Sequence, residues 1–186
     1  MTPTYVVVGM PRTGTSLMMN VLVELGLPFV GDVKPGYKMN PKGFYESTRH
    51  LIEGLSDEGF SGKVIKLFIV GFLRTTIENY RGIVCVRNPD DQRLSWKNSR
   101  HENFKVNPET YTRQYSSLMK KMDERLCVVD YDCLLGAPDV QLRRICTHLG
   151  LPFKKVQCID PSLHRTHAEK TAGAYQQVYQ EMIRRA

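Results

Sequence analysis

Two short stretches carry residue types at spacings that could hold anions. The first is Gly9-Met10-Pro11-Arg12-Thr13-Gly14-Thr15-Ser16, set between a β-branched run and a helical pattern. Its glycines have the spacing of a phosphate loop, G-x-x-x-x-G-K-[ST]. There, backbone N–H groups at a helix N-terminus cradle phosphates, a lysine serves the β- and γ-phosphates, and a hydroxyl serves Mg²⁺. Thr15 stands where that lysine belongs. A nucleoside triphosphate would lose its main cation, whereas Arg12, inside the loop, could reach a single 5′ phosphate and whatever is attached to it. The second stretch is Arg87, followed by Asn88-Pro89-Asp90-Asp91 and then Ser95. Asn at the N-cap, Pro at the first helical position and acidic residues in the first turn start a helix strongly. A guanidinium at a strand end and a hydroxyl in the second helical turn are thus offered from two rigid elements, at the sheet edge where open α/β folds bind ligands.

The surrounding pattern is able to build that scaffold. Tyr5–Val8, Val64–Phe68, Gly82–Val86 and Leu126–Asp130 read as buried strands. Helical periodicity runs over Gly14–Leu25, Thr48–Leu55 (with Ser47 as its N-cap), Asp90–Arg100, Pro108–Glu124, Asp139–Leu149 and Lys170–Arg185. Alternation of this kind predicts an α/β fold of three layers, a mostly parallel central sheet with helices on both faces, of the P-loop NTPase-like type. At 186 residues the whole chain, 1–186, is expected to form a single domain. The connection from Gly26 to Tyr45 is long enough to suggest a functional segment.

Composition narrows the function classes. Hydrophobic residues make up 41% and charged residues 24%, a globular profile. The net charge of +7 is scattered rather than gathered into a block, which fits a small polyanion better than nucleic acid. No apolar run approaches the roughly 18 residues of a membrane span, so no membrane partner is expected. The five cysteines are odd in number and form no C-x-x-C pair, which points to reduced thiols and a cytoplasmic compartment. His164 and His167 lack a third ligand, and no metal is expected.

Taken together, the two stretches resemble the 5′- and 3′-phosphate-binding motifs of the PAPS-dependent sulfotransferases, whose donor is 3′-phosphoadenosine 5′-phosphosulfate (PAPS). In that family a P-[KR]-[ST]-G-[ST]-[ST] loop holds the phosphosulfate, and an Arg with a Ser eight residues later holds the 3′ phosphate. The matching residues are Pro11-Arg12-Thr13-Gly14-Thr15-Ser16 and the pair Arg87 and Ser95. Further similarity covers Asn40-Pro41-Lys42-Gly43-Phe44-Tyr45-Glu46, Val64-Ile65-Lys66 and Val129-Asp130-Tyr131-Asp132, running into a helix that ends His148-Leu149-Gly150-Leu151.

The resemblance implies transfer of a sulfuryl group from PAPS, as co-substrate, to a hydroxyl or amine by in-line displacement. Such a reaction needs a base for the acceptor and a cation for the leaving oxygen, and no metal. Arg12 is implied as that cation, Lys66 as a contact on the leaving side, and Tyr131 as a nucleotide neighbour or a packing residue. A histidine base two residues after the lysine in the cytosolic branch is replaced here by Phe68, which cannot take a proton. Glu46, placed like the glutamate base of Golgi-type branches, is the expected base, with Asp32 as the alternative. The acceptor, a small molecule or a glycan, is expected to sit among Val30–Lys42, Phe68–Arg74 and the C-terminal segment; its identity and the oligomeric state are not legible. Two rival functions remain. One is a P-loop kinase or NTPase, in which Leu126–Asp130 would bear a Mg²⁺-binding Asp. The other is a nucleotide-binding module without turnover, motivated by Phe68.

Overall fold

The structure, a computed structural model, describes residues 2–31, 47–56, 59–97, 107–160 and 174–185. The chain runs β1 (Thr4–Gly9), α1 (Thr15–Glu24), α2 (Thr48–Glu53), β2 (Val64–Phe68), α3 (Ile69–Arg74), β3 (Tyr80–Val86) and α4 (Pro89–Lys97). It continues through α5 (Pro108–Lys121), β4 (Leu126–Asp130), α6 (Tyr131–Gly136), α7 (Pro138–Leu149) and α8 (Ala174–Arg184). The strands form a parallel sheet in the order β2-β1-β3-β4.

Burial on both sides explains why these strands read as unbroken apolar runs rather than alternating ones. Tyr5, Val7, Ile83 and Val129 pack against Met18, Met19 and Leu22 of α1 and Leu142, Ile145 and Leu149 of α7. Val6, Val8, Ile65, Val84 and Val128 pack against Phe72 of α3, Tyr115 and Leu118 of α5 and Met182 of α8. The expected three-layer arrangement is therefore present.

Two helices depart from the sequence reading. Ile69–Arg74 turns helical directly after β2, although Ile69, Val70, Phe72 and Leu73 extend its apolar run. Ile69, Gly71 and Phe72 of this helix are buried, Ile69 and Phe72 within the core. The segment after β4 splits into α6 and α7 because Pro138 takes the first position of the second helix and ends the first one. Among the described residues no helix is long and apolar enough to cross a membrane, and no cluster of three His, Cys, Asp or Glu could hold a metal. His101, His164 and His167 lie outside the described residues.

His148 has a structural place at the opposite, amino edge of the sheet. Its Nε2 lies 3.2 Å from both Gly82 O and Arg125 O, and since carbonyls only accept, that nitrogen carries the proton. Burial lowers its pKa below the ordinary histidine value, outweighing the two backbone hydrogen bonds, while Arg81 and Arg144 push the same way. A depressed folded pKa means that its stabilisation is complete above about pH 6.5 and is lost as pH falls toward and through the folded value. Urea unfolding is expected to show stability declining between pH 7 and pH 5, with a shallower decline in His148→Gln. An equal slope in both proteins would contradict this assignment.

Candidate functional site

Sheet order selects one crevice. The chain leaves β1 for β2 on one side and then crosses to β3 on the other, so the connections diverge at the carboxyl ends of β1 and β3. Register brings those ends level: Gly9 pairs with Phe68 and with Cys85, and Val86 pairs with Asp130. The residues after β1, β3 and β4 therefore share one edge.

The loop after β1 is held in a tight shape by its own residues. Thr13 donates from both its amide, at 3.3 Å, and its hydroxyl, at 2.8 Å, to Met10 O. Arg12 adopts a left-handed backbone with φ 72°, uncommon for a residue with a Cβ. Gly14, at φ 91°, is the N-cap of α1 and supplies no side-chain cap. The first-turn N–H groups of that helix are suited to an anion. Thr13 is nearly fully buried with its hydroxyl turned to Met10 O, so it shapes the loop here, whereas Ser16 accepts a hydrogen bond from Lys66 Nζ at 3.3 Å.

Helix α4 grips this loop from the other side of the crevice. Arg12 donates from Nε at 3.1 Å and from Nη2 at 2.9 Å to Ser95 Oγ. Gln92, one turn earlier on the same face, donates from Nε2 to Pro11 O at 2.6 Å. The helix start is the one expected: Asn88 Oδ1 accepts from Asp90 N at 2.9 Å, and Pro89 opens the helix. Gln92 was not singled out in the sequence, although its i, i+3 relation to Ser95 was the available signal.

Arg87 has a different partner from Ser95. Its guanidinium carbon lies 4.3 Å from the centroid of the Tyr131 ring, and its Nε is buried without a hydrogen-bond partner. The same ring abuts Gly14, where an added Cβ would come within 2.5 Å of Tyr131 Cδ2. Arg12 with Ser95, and Gly14 with Tyr131 and Arg87, thus form one continuous cluster, with Lys66 joined to it through Ser16. Lys66 is only 2% exposed. The buried Arg87 Nε, without a hydrogen-bond partner, is a donor that an anion in this crevice would satisfy. Nearby Cys85 is buried, and burial, then Cys127, push its thiol pKa up.

Glu46 and Asp32 lie outside the described residues, as does the stretch from Asn40 to Glu46. Ser47, next to Glu46, occupies the N-cap of α2, but its Oγ lies 2.6 Å from His50 Nδ1 and makes no backbone cap. Phe68 is the N-cap of α3 and offers no titratable group.

Comparison with known proteins agrees with this architecture. The solved structures that it resembles include the sulfotransferase domain from the Synechococcus PCC 7002 olefin synthase, with a TM-score of 0.63 at 15% identity over 97% of this chain and 94% of that one. Mouse sulfotransferase SULT7A1 complexed with PAP superposes with a TM-score of 0.52 at 13% identity, over 81% of this chain and 60% of that one. No curated protein matches. The model of the sulfotransferase family matches residues 48–155, a span that contains Lys66, Arg87, Ser95 and Tyr131 and begins after the Gly9–Ser16 loop. With more than half of its length so matched, the chain belongs to the sulfotransferase family.

Proposed function

We propose that this sulfotransferase uses PAPS as its donor and transfers the sulfuryl group to a hydroxyl or amine of a small molecule or glycan. The observation that carries this reading is the meeting of two anion grips, from different loops, in one cluster at the crevice: Arg12 on Ser95, and Arg87 on the Tyr131 ring that abuts Gly14. The α1 N-terminus, Arg12, Gly14, Thr15 and Ser16 would hold the phosphosulfate end, with Thr13 shaping that loop, and Arg87, Ser95 and Tyr131 the 3′-phosphate end. The PAP bound to the mouse relative is consistent with this choice. Thr15, where a triphosphate site needs lysine, disfavours ATP.

In the reaction, a bond forms between the acceptor oxygen or nitrogen and sulfur while the bond from sulfur to the phosphate oxygen breaks. The acceptor proton passes to a base, for which Glu46 is our assignment and Asp32 the alternative. The leaving adenosine 3′,5′-bisphosphate gains negative charge on its 5′ phosphate. Arg12 and Lys66 are the cations placed to stabilise that charge, and no metal is called for. Cys85, Cys127, Cys133 and Cys146 are free thiols, which supports a reducing, cytoplasmic setting.

Incubation with sulfur-labelled PAPS and fractionated metabolite and glycan extracts tests this function. Label is expected in an acceptor, with Glu46→Gln slowing transfer by about a hundredfold or more. Equal rates in the two proteins would refute the base assignment. Donor binding with no labelled product would favour a nucleotide-binding module, the reading to which Phe68 at the end of β2 lends some weight.

A further inference from the structure

The C-terminal helix makes one polar contact at this edge of the sheet that the reaction scheme above does not use. Tyr179 Oη donates to Asp130 Oδ2 at 2.8 Å. Asp130 is buried, and its other oxygen accepts from Asp132 N and Cys133 N, both at 2.9 Å, as the N-cap of α6. Both oxygens of one carboxylate are thus engaged, one by α8 and one by the first turn of α6. The first residue of that turn is Tyr131, whose ring abuts Gly14 and carries Arg87.

We propose that Tyr179 is a positioning residue for the nucleotide site: by fixing the Asp130 carboxylate it fixes the cap of α6, and with it the Tyr131 ring that holds Arg87 ready for the 3′ phosphate. This rests on the PAPS reading above. The remainder of the contact supports a built connection rather than a surface accident. Val178, Met182 and Ile183 seat α8 against the core on either side of Tyr179, so the hydroxyl is delivered from a fixed helix. Burial, and then the Asp130 charge, raise the Tyr179 pKa, which keeps its hydroxyl protonated as a donor. A carboxylate accepting from both a phenol and two amides has little rotational freedom, and charge-assisted bonds of this kind are the stronger ones. Any coupling of α8 to the 3′-phosphate grip must also run in reverse, from ligand to helix.

The test uses the full chain and two probes, adenosine 3′,5′-bisphosphate and adenosine 5′-phosphate. Tyr179→Phe keeps the buried ring and removes only the hydroxyl. It is expected to weaken the bisphosphate about five- to tenfold and the monophosphate less than about twofold, so that selectivity for the 3′ phosphate falls. A merely structural role would weaken both ligands alike or lower only the melting temperature, and either result overturns the proposal. A second measurement needs no variant. In the parent protein, saturating bisphosphate is expected to slow amide hydrogen exchange across α8 about threefold or more, with a smaller effect of the monophosphate. Unchanged α8 exchange in the parent with bisphosphate bound also overturns the proposal. If the parent does not prefer the bisphosphate at all, the PAPS reading itself has failed and the role of Tyr179 falls with it, an outcome distinct from a parent that binds selectively and a Phe variant that does so equally well.

Discussion

Gly14→Ala is expected to weaken adenosine 3′,5′-bisphosphate by about a hundredfold, equivalent to roughly 3 kcal/mol, in isothermal titration. Two separate costs meet at this position. The backbone sits at φ 91°, where a Cβ costs about 1–2 kcal/mol. That Cβ would also lie 2.5 Å from Tyr131 Cδ2, and the ring, with Arg87 over its face and α6 fixed beneath it, cannot simply swing aside. Either the loop or the ring must move, and each movement separates the two anion grips. A variant that binds the bisphosphate within about twofold of the parent would show that the contact between loop and ring does not organise the site.

Arg87→Ala is the second substitution with a large expected effect, and it separates affinity from stability. Arg87 keeps a buried Nε without a partner, so the folded protein carries the cost of an orphaned donor. Removing the side chain relieves that cost and forfeits a cation–π contact worth about 0.5–1 kcal/mol. The melting temperature should therefore change by no more than about 3 °C. Binding should respond quite differently. Loss of a charge-assisted contact to a phosphate is expected to weaken the bisphosphate about fifty- to a hundredfold, while adenosine 5′-phosphate changes less than about threefold. Arg87→Lys should recover only part of the loss, because a lysine lacks the planar fork and stacks less well on a ring. A matching loss for both nucleotides would remove Arg87 from the 3′-phosphate grip.

The parts of this molecule that were legible in the sequence are those where local chemistry and tertiary demand coincide. The four β-branched runs are strands because both faces of a parallel sheet are buried, and Asn88-Pro89-Asp90 starts α4 by capping alone. The phosphate-loop spacing correctly anticipated a strand, a tight turn and a helix. Helices α3 and α6 were not legible, since each follows its strand without an intervening turn residue, and only the packing of Phe72, Leu134 and Leu135 reveals the change of period. Within the site, residue types were readable but pairings were not. Ser95 is held by Arg12, and Arg87 lies on Tyr131. Those partners are set by the approach of β1, β3 and β4 at one edge, and linear spacing carries no record of it. Gln92 and Tyr179 escaped notice for the same reason, as their hydrogen bonds join residues 81 and 49 positions apart.

The central claim is that one nucleotide bearing phosphates on both its 5′ and 3′ oxygens spans the Arg12 and Arg87 grips. Titration of the parent protein with adenosine 3′,5′-bisphosphate, adenosine 5′-phosphate and ATP–Mg²⁺ under identical conditions tests it most directly. The account predicts that the bisphosphate binds at least about tenfold more tightly than either of the others. ATP–Mg²⁺ binding as tightly as the bisphosphate, or more so, would contradict it.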